Sequence, residues 1–585
     1  MIFYDFEVFK YDWMVVLIDV INEKTTSIVN DKDALEEFYN AHKEDIFIGY
    51  NSRNYDQWIF KGILCGFNPK EINDFIIVKG QKGGQFSQLF YKIPLINFDI
   101  MPPFMGLKQL EGYMGSDIRE TSVPFDIDRK LTQGEIEDTI KYCIHDVEQT
   151  VEVFCRMREE FDSVMGLIKA FELPLTDVGK TKAQLSAKIL NCTKKKHDDE
   201  WDLIIPDTLR LGKYKNVLDW YLNPVNHNYS KELSIDVAGV PHSFRWGGLH
   251  GAIPKYSGEG VYLNVDVASY YPALMIEYGF GSRNMANPDK YREIRDLRIK
   301  YKHDKNPMQA PLKIVLNSTY GAMKDKYNAL YDPRQANNVC VGGQLLLLDL
   351  IEKLEGHCEL IQSNTDGLII KIPDTDDAFN TIDDICFEWE QRTRMQLEFD
   401  TYARIYQKDV NNYIIVDDEG NFKSKGAYVK KPKPLDNDLP ILKTAVLEYF
   451  IHGVPVEDTI NGCNEFIQFQ KIVKVSGKYS HALYNPTVTT RKIRDENGKL
   501  KTIKVFEGGH IQTNRTFRVF AYNQKTGSLY KVKNAKKNPE KFADTPEWAS
   551  IYNQSVEGVP VPLWLDKQWY IDKAIGRLRD FGVKL

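Results

Sequence analysis

The chain has 585 residues, of which 43% are hydrophobic and 12% aromatic, so it can bury several cores and is not disordered. Its longest leucine run, Leu345 to Leu348, is too short to span a bilayer, and its eight cysteines include no CxxC pair, which argues against a disulfide scaffold, a zinc ribbon or an iron–sulfur cluster. The net charge of −6 is uneven, because residues 401–585 carry 30 Lys and Arg against 20 Asp and Glu, whereas the other 400 residues carry 46 against 62. A basic last third suits a polyanionic partner, although a solvated basic surface would have the same composition.

The first half of the chain changes its pattern several times. Up to about Val153, apolar strand patterns alternate with helical segments, as in an α/β domain. A Lys-rich helical segment at Lys180–Lys196 and an irregular region at Asn223–Pro241 follow. A strand pattern at Val261–Val265 then precedes a helical stretch from Tyr291 to Met323. These patterns predict a soluble, multidomain, cytoplasmic protein that makes no contact with a membrane.

The second half is richer in strand patterns. Apolar runs on either side of Asn364 predict a strand pair over Leu360–Ile370. A Lys- and Pro-rich turn at 430–434 predicts a domain boundary. The segments predicted beyond it are a turn at 495–498, strands at Thr516–Tyr522 and Leu529–Val532, and a closing helix from about Lys567 to Phe581.

Two carboxylates stand near the start of the chain, at Asp5 and Glu7. A strand repeats every two residues, so both would face one side, with Tyr4 and Phe6 on the other. Two carboxylates so close repel each other unless a cation neutralises them, and the pair therefore suits a divalent metal. By itself the pattern is more often a charged strand face.

Further acids follow in the same part of the chain. Asp56 ends the segment Asn51-Ser52-Arg53-Asn54-Tyr55-Asp56, and Asp146 stands four residues after Tyr142 in a helical setting. Their order resembles the DnaQ-like (RNase H-like) 3′→5′ exonuclease domain that proofreads for DNA polymerases. The resemblance implies that Asp5, Glu7, Asp56 and Asp146 hold two metal ions and that Tyr142 orients the attacking water. Two metals suit phosphodiester hydrolysis, since one generates hydroxide and the other stabilises the leaving oxygen.

A second group of motifs lies between residues 264 and 367. Asp266 ends a strand pattern in the segment Asn264-Val265-Asp266-Val267-Ala268-Ser269-Tyr270-Tyr271-Pro272. Lys313, Asn317 and Tyr320 are spaced i, i+4 and i+7 and share a helix face, in a helix predicted to begin at Pro311. Asp366-Gly367 between two apolar runs predicts a hairpin with Asp366 at its exposed tip. Each feature alone has a structural explanation.

Together these segments resemble motifs A, B and C of family B DNA polymerases, and several stretches, such as Gly247-Gly248-Leu249-His250-Gly251, resemble bacteriophage members. The resemblance implies that Asp266 and Asp366 hold two Mg²⁺ ions, for which Mn²⁺ could substitute, with the backbone carbonyl of Val267 contributing to one. Lys313 would grip the incoming deoxynucleoside triphosphate. Arg298 and Lys302, on a predicted cationic stripe that begins at Arg295, would assist.

The same resemblance assigns the remaining residues of the site. Tyr271 would lie under the sugar and clash with a 2′-hydroxyl group. The residues implied to contact the primer–template are Gly247, Gly248, Asn317, Tyr320, Gly321, Tyr413, Lys425 and Gly426. The basic last third would grip duplex phosphates. Aromatic residues alternate with cations there, as at 515–518; most are expected in the core, and some could stack on unpaired bases.

The sequence departs from the family pattern at three places. Asn364 replaces the first acid of motif C, which leaves Asp366 as its acid. Arg245 replaces the tyrosine of the family's YxGG motif, and Asn411 precedes Asn412 and Tyr413 where a KxY motif is expected. Asn364 removes a negative charge and thereby puts the metal affinity of the site in doubt.

The motif spacing bears on priming. Only 40 residues separate Pro272 from Lys313, and 41 separate Gly321 from Ser363. Protein-primed relatives carry insertions in both intervals, so we expect extension of nucleic-acid primers without a terminal protein. A helicase, a primase and a single-strand-binding protein are candidate replisome partners, and we expect a monomer.

The predicted architecture is multidomain, with α/β and α+β parts. It comprises an exonuclease domain (1–165), a connecting region (166–240), a palm (241–285 and 326–430), fingers (286–325) and a thumb (431–585). The leading hypothesis is a proofreading DNA-directed DNA polymerase that replicates phage or mobile-element DNA. Two alternatives remain open: an exonuclease with a degraded polymerase site, and a catalytically silent DNA-binding scaffold of a replisome.

Overall fold

The structure is a computed structural model that describes residues 1–431, 433, 435–494, 500–512, 514–533 and 539–585. It contains a mixed sheet with helices packed on it and several antiparallel sheets, in agreement with the predicted α/β and α+β character. The predicted turn at 495–498, and Pro432 and Pro434 of the predicted boundary, lie outside the described residues. Among the described helices, none combines the length and the apolarity needed to cross a membrane.

The N-terminal part is built around one sheet with the strand order β3-β2-β1-β4-β5. Its strands are β1 (Ile2–Val8), β2 (Trp13–Asp19), β3 (Lys24–Val29), β4 (Phe47–Gly49) and β5 (Asn97–Asp99). The helices of this part and of the segment that follows it are α1 (Lys32–Ala41), α2 (Asp56–Leu64), α3 (Pro69–Asn73), α4 (Leu107–Met114), α5 (Gln133–Arg156), α6 (Arg158–Ala170) and α7 (Lys182–Ile189). The predicted alternation along β1 is confirmed, since Tyr4 and Phe6 are buried in an aromatic cluster with Phe47 and Phe60.

A second, larger sheet follows α8 (Lys215–Leu222) and has the order β14-β13-β12-β9-β11-β10-β8-β7-β6. Its strands are β6 (Glu232–Val237), β7 (Val240–Arg245), β8 (Gly248–Ala252), β9 (Tyr256–Val267), β10 (Glu359–Ser363), β11 (Gly367–Ile372), β12 (Leu397–Asp409), β13 (Asn412–Val416) and β14 (Phe422–Lys425). The prediction of an irregular region at Asn223–Pro241 is wrong in its second half, because β6 and the start of β7 pair there as a hairpin. Strand β6 does alternate polar and apolar residues, so its sequence carried the signal of a strand.

Helices cover this sheet and its edges. They are α9 (Tyr270–Glu277), α10 (Asp289–His303), α11 (Gln309–Lys324), α12 (Pro333–Leu354) and α13 (Asp376–Thr393). Pro311 is the third residue of α11 and not its first, a position in the first turn where the missing N–H costs nothing. Helix α12 is buried along most of its length and joins the sheet and the N-terminal part in one continuous apolar core.

The C-terminal part packs two helices and a final helix against small antiparallel sheets. Its helices are α14 (Pro440–His452), α15 (Val456–Gly462) and α16 (Lys567–Asp580). Its strands are β15 (Lys471–Lys474), β16 (Tyr479–Tyr484), β17 (Thr487–Arg494), β18 (Leu500–Glu507), β19 (His510–Gln512), β20 (Thr516–Ala521), β21 (Leu529–Lys533), β22 (Glu540–Lys541) and β23 (Ala549–Ile551). The predicted strands at Thr516–Tyr522 and Leu529–Val532 and the closing helix are confirmed to within a residue or two.

Candidate active sites

The first candidate site lies where β1, the start of α2 and the middle of α5 meet. Strand β1 places Asp5 and Glu7 on one face. Asp56 is the first residue of α2, and its Oδ1 accepts a hydrogen bond from the backbone N–H of Phe6 at 3.2 Å. Asp146 is buried on α5, one helical turn after Tyr142. Four acids separated by up to 141 positions in the sequence are thus brought to one place.

The electrostatics of this site are those of crowded, buried acids. Burial and the neighbouring Asp146 raise the pKa of Asp5 to about 7. Burial and Asp5 also raise the pKa values of Glu7 and Asp56 well above their ordinary range. Oxygen-rich clusters whose charges repel in this way are stabilised by divalent cations. The donor set therefore fits the metal ions that the sequence motifs imply.

Sequence reasoning missed three neighbours of this cluster. Lys108 on α4 donates to Oδ1 of Asp146 at 2.6 Å and to Oε1 of Glu111 at 2.9 Å, and its ammonium group lies 4.7 Å from the ring centre of Tyr142. Cys143 approaches Asp5, with its Sγ 3.5 Å from the backbone carbonyl and 3.8 Å from Oδ2. Lys108 and Glu111 belong to no spaced motif, and Cys143 is an unspecified position inside the Tyr142–Asp146 motif, so only the fold reveals these contacts.

The second candidate site is a cavity of about 1210 Å³ between the large sheet and helices α9, α10 and α11. The hairpin of β10 and β11 is confirmed, and Asp366 is exposed at its tip as predicted. Gly367 pairs with Asp266 on β9, and the backbone N–H of Val267 donates to the carbonyl of Asp366 at 2.8 Å. A Cβ atom on Gly367 would lie 2.1 Å from Oδ1 of Asp266, so glycine is what allows the two acids to approach.

The charge of Asp266 acts on Asp366, which lines the cavity. Partial burial and the charge of Asp266 raise the pKa of Asp366, while Lys423 and Lys425 oppose that rise. Together with the carbonyl of Val267, which lines the same cavity, they form an oxygen donor set that fits a divalent cation.

Cations of two helices also line the cavity. Arg298, Lys302 and Lys313 all face it, from α10 and α11. Arg298 donates to Oγ of Ser269 at 3.2 Å, and its buried Nε has no hydrogen-bond partner within the described residues. Arg295, which begins the predicted stripe, is held by Glu277 at 3.1 Å. The cavity lining therefore leaves positive charge available for an anionic ligand.

An aromatic pair also lines the cavity. Tyr271, near the start of α9, lies with its ring centre 4.3 Å from that of Tyr320 on α11. Both side chains are half-buried and line the cavity. Tyr320 therefore packs against the ring of Tyr271 and restricts its position.

The structure brings some of the predicted DNA contacts into this cavity and not others. Gly247, Asn317, Tyr320 and Lys425 line it. The other four do not line it. Gly248 faces Thr365, and Gly321 lies in an open part of α11. Tyr413 is buried near both acids, and Gly426 packs on Asn411 and Asn412.

Two charged residues of the second site were also missed. Glu398 on β12 pairs with Asp266 across the sheet, so both side chains lie on the same face, and Glu398 lines the cavity. Lys423 on β14 donates a short hydrogen bond to Oδ2 of Asp266. Both depend on strand pairings that the local sequence does not specify.

Comparison with known proteins connects part of the chain to a polymerase. No known family profile matches the chain. The curated protein "DNA polymerase 1" of Aeropyrum pernix is 23% identical in an alignment of length 225 that covers 31% of this chain and 23% of that protein. The chain thus matches about a quarter of the length of that relative. A solved structure of the family B DNA polymerase from the hyperthermophilic archaeon Pyrobaculum calidifontis aligns over 100% of this chain and 78% of its own, with 14% identity and a TM-score of 0.42.

Proposed function

We propose that this protein is a DNA-directed DNA polymerase that extends a primer from deoxynucleoside triphosphates and removes nucleotides through a separate 3′→5′ exonuclease site. The observation that carries the proposal is the large cavity, because its lining brings Asp366 together with the cations of α10 and α11. Asp266 pairs with Gly367, the residue directly after Asp366. Phosphoryl transfer depends mainly on positioning and charge stabilisation, and this arrangement supplies both. The sequence match to a DNA polymerase supports the same reaction.

The roles of the polymerase-site residues follow from their places in the cavity. Two Mg²⁺ ions held by Asp266, Asp366 and the Val267 carbonyl would activate the primer hydroxyl group and neutralise the departing pyrophosphate. Lys313 and Lys302 would bind the triphosphate oxygens, with Arg298 offering its unpartnered Nε. Tyr271 would exclude a 2′-hydroxyl group from beside its ring.

At the first site, the chain's own residues would hold and orient a phosphodiester bond. Asp5, Glu7, Asp56 and Asp146 would hold two metal ions, which supply an activated water and charge stabilisation for hydrolysis. Lys108 fixes the carboxylate of Asp146 through its 2.6 Å hydrogen bond and places a positive charge beside Tyr142. Tyr142 would orient the attacking water.

The wider role we propose is replication of phage or mobile-element DNA from nucleic-acid primers by a monomer, without a terminal protein. The bacteriophage-like stretches around Gly247 and the short intervals on either side of motif B support this part of the proposal. Helicase, primase and single-strand-binding protein are the partners that such a role would require.

The proposal is tested by incubating the protein with a 5′-labelled primer on a longer DNA template and Mg²⁺, with and without deoxynucleoside triphosphates. We expect growth of the primer with nucleotides and shortening without them. Shortening under both conditions would favour the exonuclease with a degraded polymerase site. No change under either condition would favour the silent scaffold.

Sugar selection gives a sharper test of the cavity. Tyr271→Ala should raise ribonucleotide incorporation relative to deoxynucleotide incorporation by at least about tenfold, because it removes the ring that would clash with the 2′-hydroxyl group. The measurement is the ratio of kcat/KM values for the two nucleotides. Tyr271→Phe keeps the ring and should keep the discrimination. An unchanged ratio in Tyr271→Ala would contradict the role of this residue.

A further inference from the structure

The ammonium group of Lys423 forms an ion pair with Asp266, one of the two acids expected to bind a metal ion. Lys423 donates to Oδ2 of Asp266, and the side-chain amide of Asn264 donates to the same oxygen at 2.8 Å. The carboxylate is therefore neutralised by a cation that belongs to the chain itself. Both partners remain partly exposed, with 40% of the Lys423 side chain and 33% of the Asp266 side chain accessible.

The neighbouring lysine, Lys425, has a different partner. Lys425 stands two residues further along β14 and so projects from the same face as Lys423. It reaches Oδ1 of Asn364 at 3.4 Å and makes no ion pair with either acid among the described residues. The two lysines therefore have different partners. Lys423 is a counter-ion of Asp266, and Lys425 lies beside Asn364, the amide that replaces an acid in the β10–β11 turn.

A metal ion and the Lys423 ammonium group cannot share this oxygen. A divalent ion bound to Asp266 would lie about 2 Å from a carboxylate oxygen, which puts it within a few ångströms of the ammonium group. Two like charges at that separation repel strongly in a partly buried site. The long, flexible stem and the exposure of Lys423 allow its head group to leave without a change in the strand.

We propose that Lys423 is an internal counter-ion of Asp266 that a divalent cation must displace, and that it thereby sets the metal affinity of the polymerase site. This inference rests on the proposed function, since it concerns the metal ions of that site. It also gives the site a way to remain stable without metal, although Asp266 stands beside Glu398 on one neighbouring strand and beside Gly367, next to Asp366, on the other.

The test is a titration with Mn²⁺ followed by electron paramagnetic resonance of the free ion, without DNA or nucleotides. Every protein carries Asp5→Asn to weaken the first site, and Asp266→Asn identifies the ions that bind at the second. Lys423→Met should tighten this class of ions about threefold, because a partly exposed ion pair that opposes binding is removed. Lys423→Arg keeps the charge and should bind Mn²⁺ as the parent does. Lys425→Met should change the affinity less than Lys423→Met.

The outcomes separate this inference from the proposed function. The inference would be overturned if a folded Lys423→Met protein bound Mn²⁺ no more tightly than the parent does. It would also be overturned if Lys425→Met tightened Mn²⁺ binding as much as Lys423→Met does. If Asp266→Asn removed no bound Mn²⁺, both the metal site and the inference would be wrong. If Lys423→Met bound Mn²⁺ more tightly and the unsubstituted protein failed to extend primers, the role of Lys423 as a counter-ion would be supported and the polymerase function rejected.

Discussion

Asp366→Asn is expected to reduce primer extension about a thousandfold, because a metal ligand stabilises several kcal/mol of transition-state charge. The other residues of the turn that carries Asp366, Asn364 and Thr365, are uncharged, so no second acid of the same turn can take over. The substitution preserves shape and removes a negative charge. Rates of single-nucleotide addition measured at saturating Mg²⁺ are the appropriate readout.

The same variant should shorten primers in the absence of nucleotides as fast as the parent does, since the acids of the proposed exonuclease site lie elsewhere, on β1, α2 and α5. Asp146→Asn should show the reverse pattern. Asn364→Ser is the matched control, because it alters the same turn without changing a charge, and it should retain most of the extension activity. Extension by Asp366→Asn at the parent's rate would mean that Asp366 is not a ligand and that the cavity has another use.

Much of the candidate chemistry could be predicted because it is local in sequence. The period of a strand placed Asp5 and Glu7 on one face, and the Asp-Gly turn placed Asp366 at the tip of a hairpin. That hairpin also brings Gly367 against Asp266 once β9 and β11 pair. Short-range rules were sufficient for these residues.

The residues that were missed depend on long-range packing. Lys108 meets Asp146 because α4 lies against α5, and Lys423 meets Asp266 across a sheet in which β13 and β12 separate their strands.

Arg518 belongs to a segment in which cations alternate with aromatic residues, a pattern that is compatible with a surface that binds nucleic acid. The structure buries it completely, because β20 is covered on both faces. Local periodicity does not distinguish an exposed cation from one that is buried with partners.

Arg518→Met is expected to destabilise the protein by about 3 kcal/mol, because it leaves several buried carbonyl groups without their donor. Its Nη2 donates to the carbonyls of Ser116 at 2.7 Å and Gly112 at 3.2 Å, at the end of the helix that carries Lys108. Its Nε donates to Oε1 of Gln470 at 2.9 Å, and its Nη1 makes a short hydrogen bond to the carbonyl of Gln554. This one side chain therefore ties the N-terminal part to the C-terminal part.

The measurement is thermal unfolding, in which this loss should lower the Tm by roughly 2–3 °C for a chain of this length. Arg515→Met is the matched control. Arg515 also donates to the backbone carbonyls of Val475, Ser476 and Tyr479, but it is exposed to water, so its loss should lower the Tm by less than about 1 °C. Because Gly112 and Ser116 flank the end of α4, Arg518→Met should also slow primer shortening more than primer extension. A Tm equal to that of the parent would show that water replaces the guanidinium group at no cost. Other hydrogen bonds would then hold the two parts together, among them those that Glu120 and Asp117 accept from the backbone N–H groups of Arg515 and Ser555.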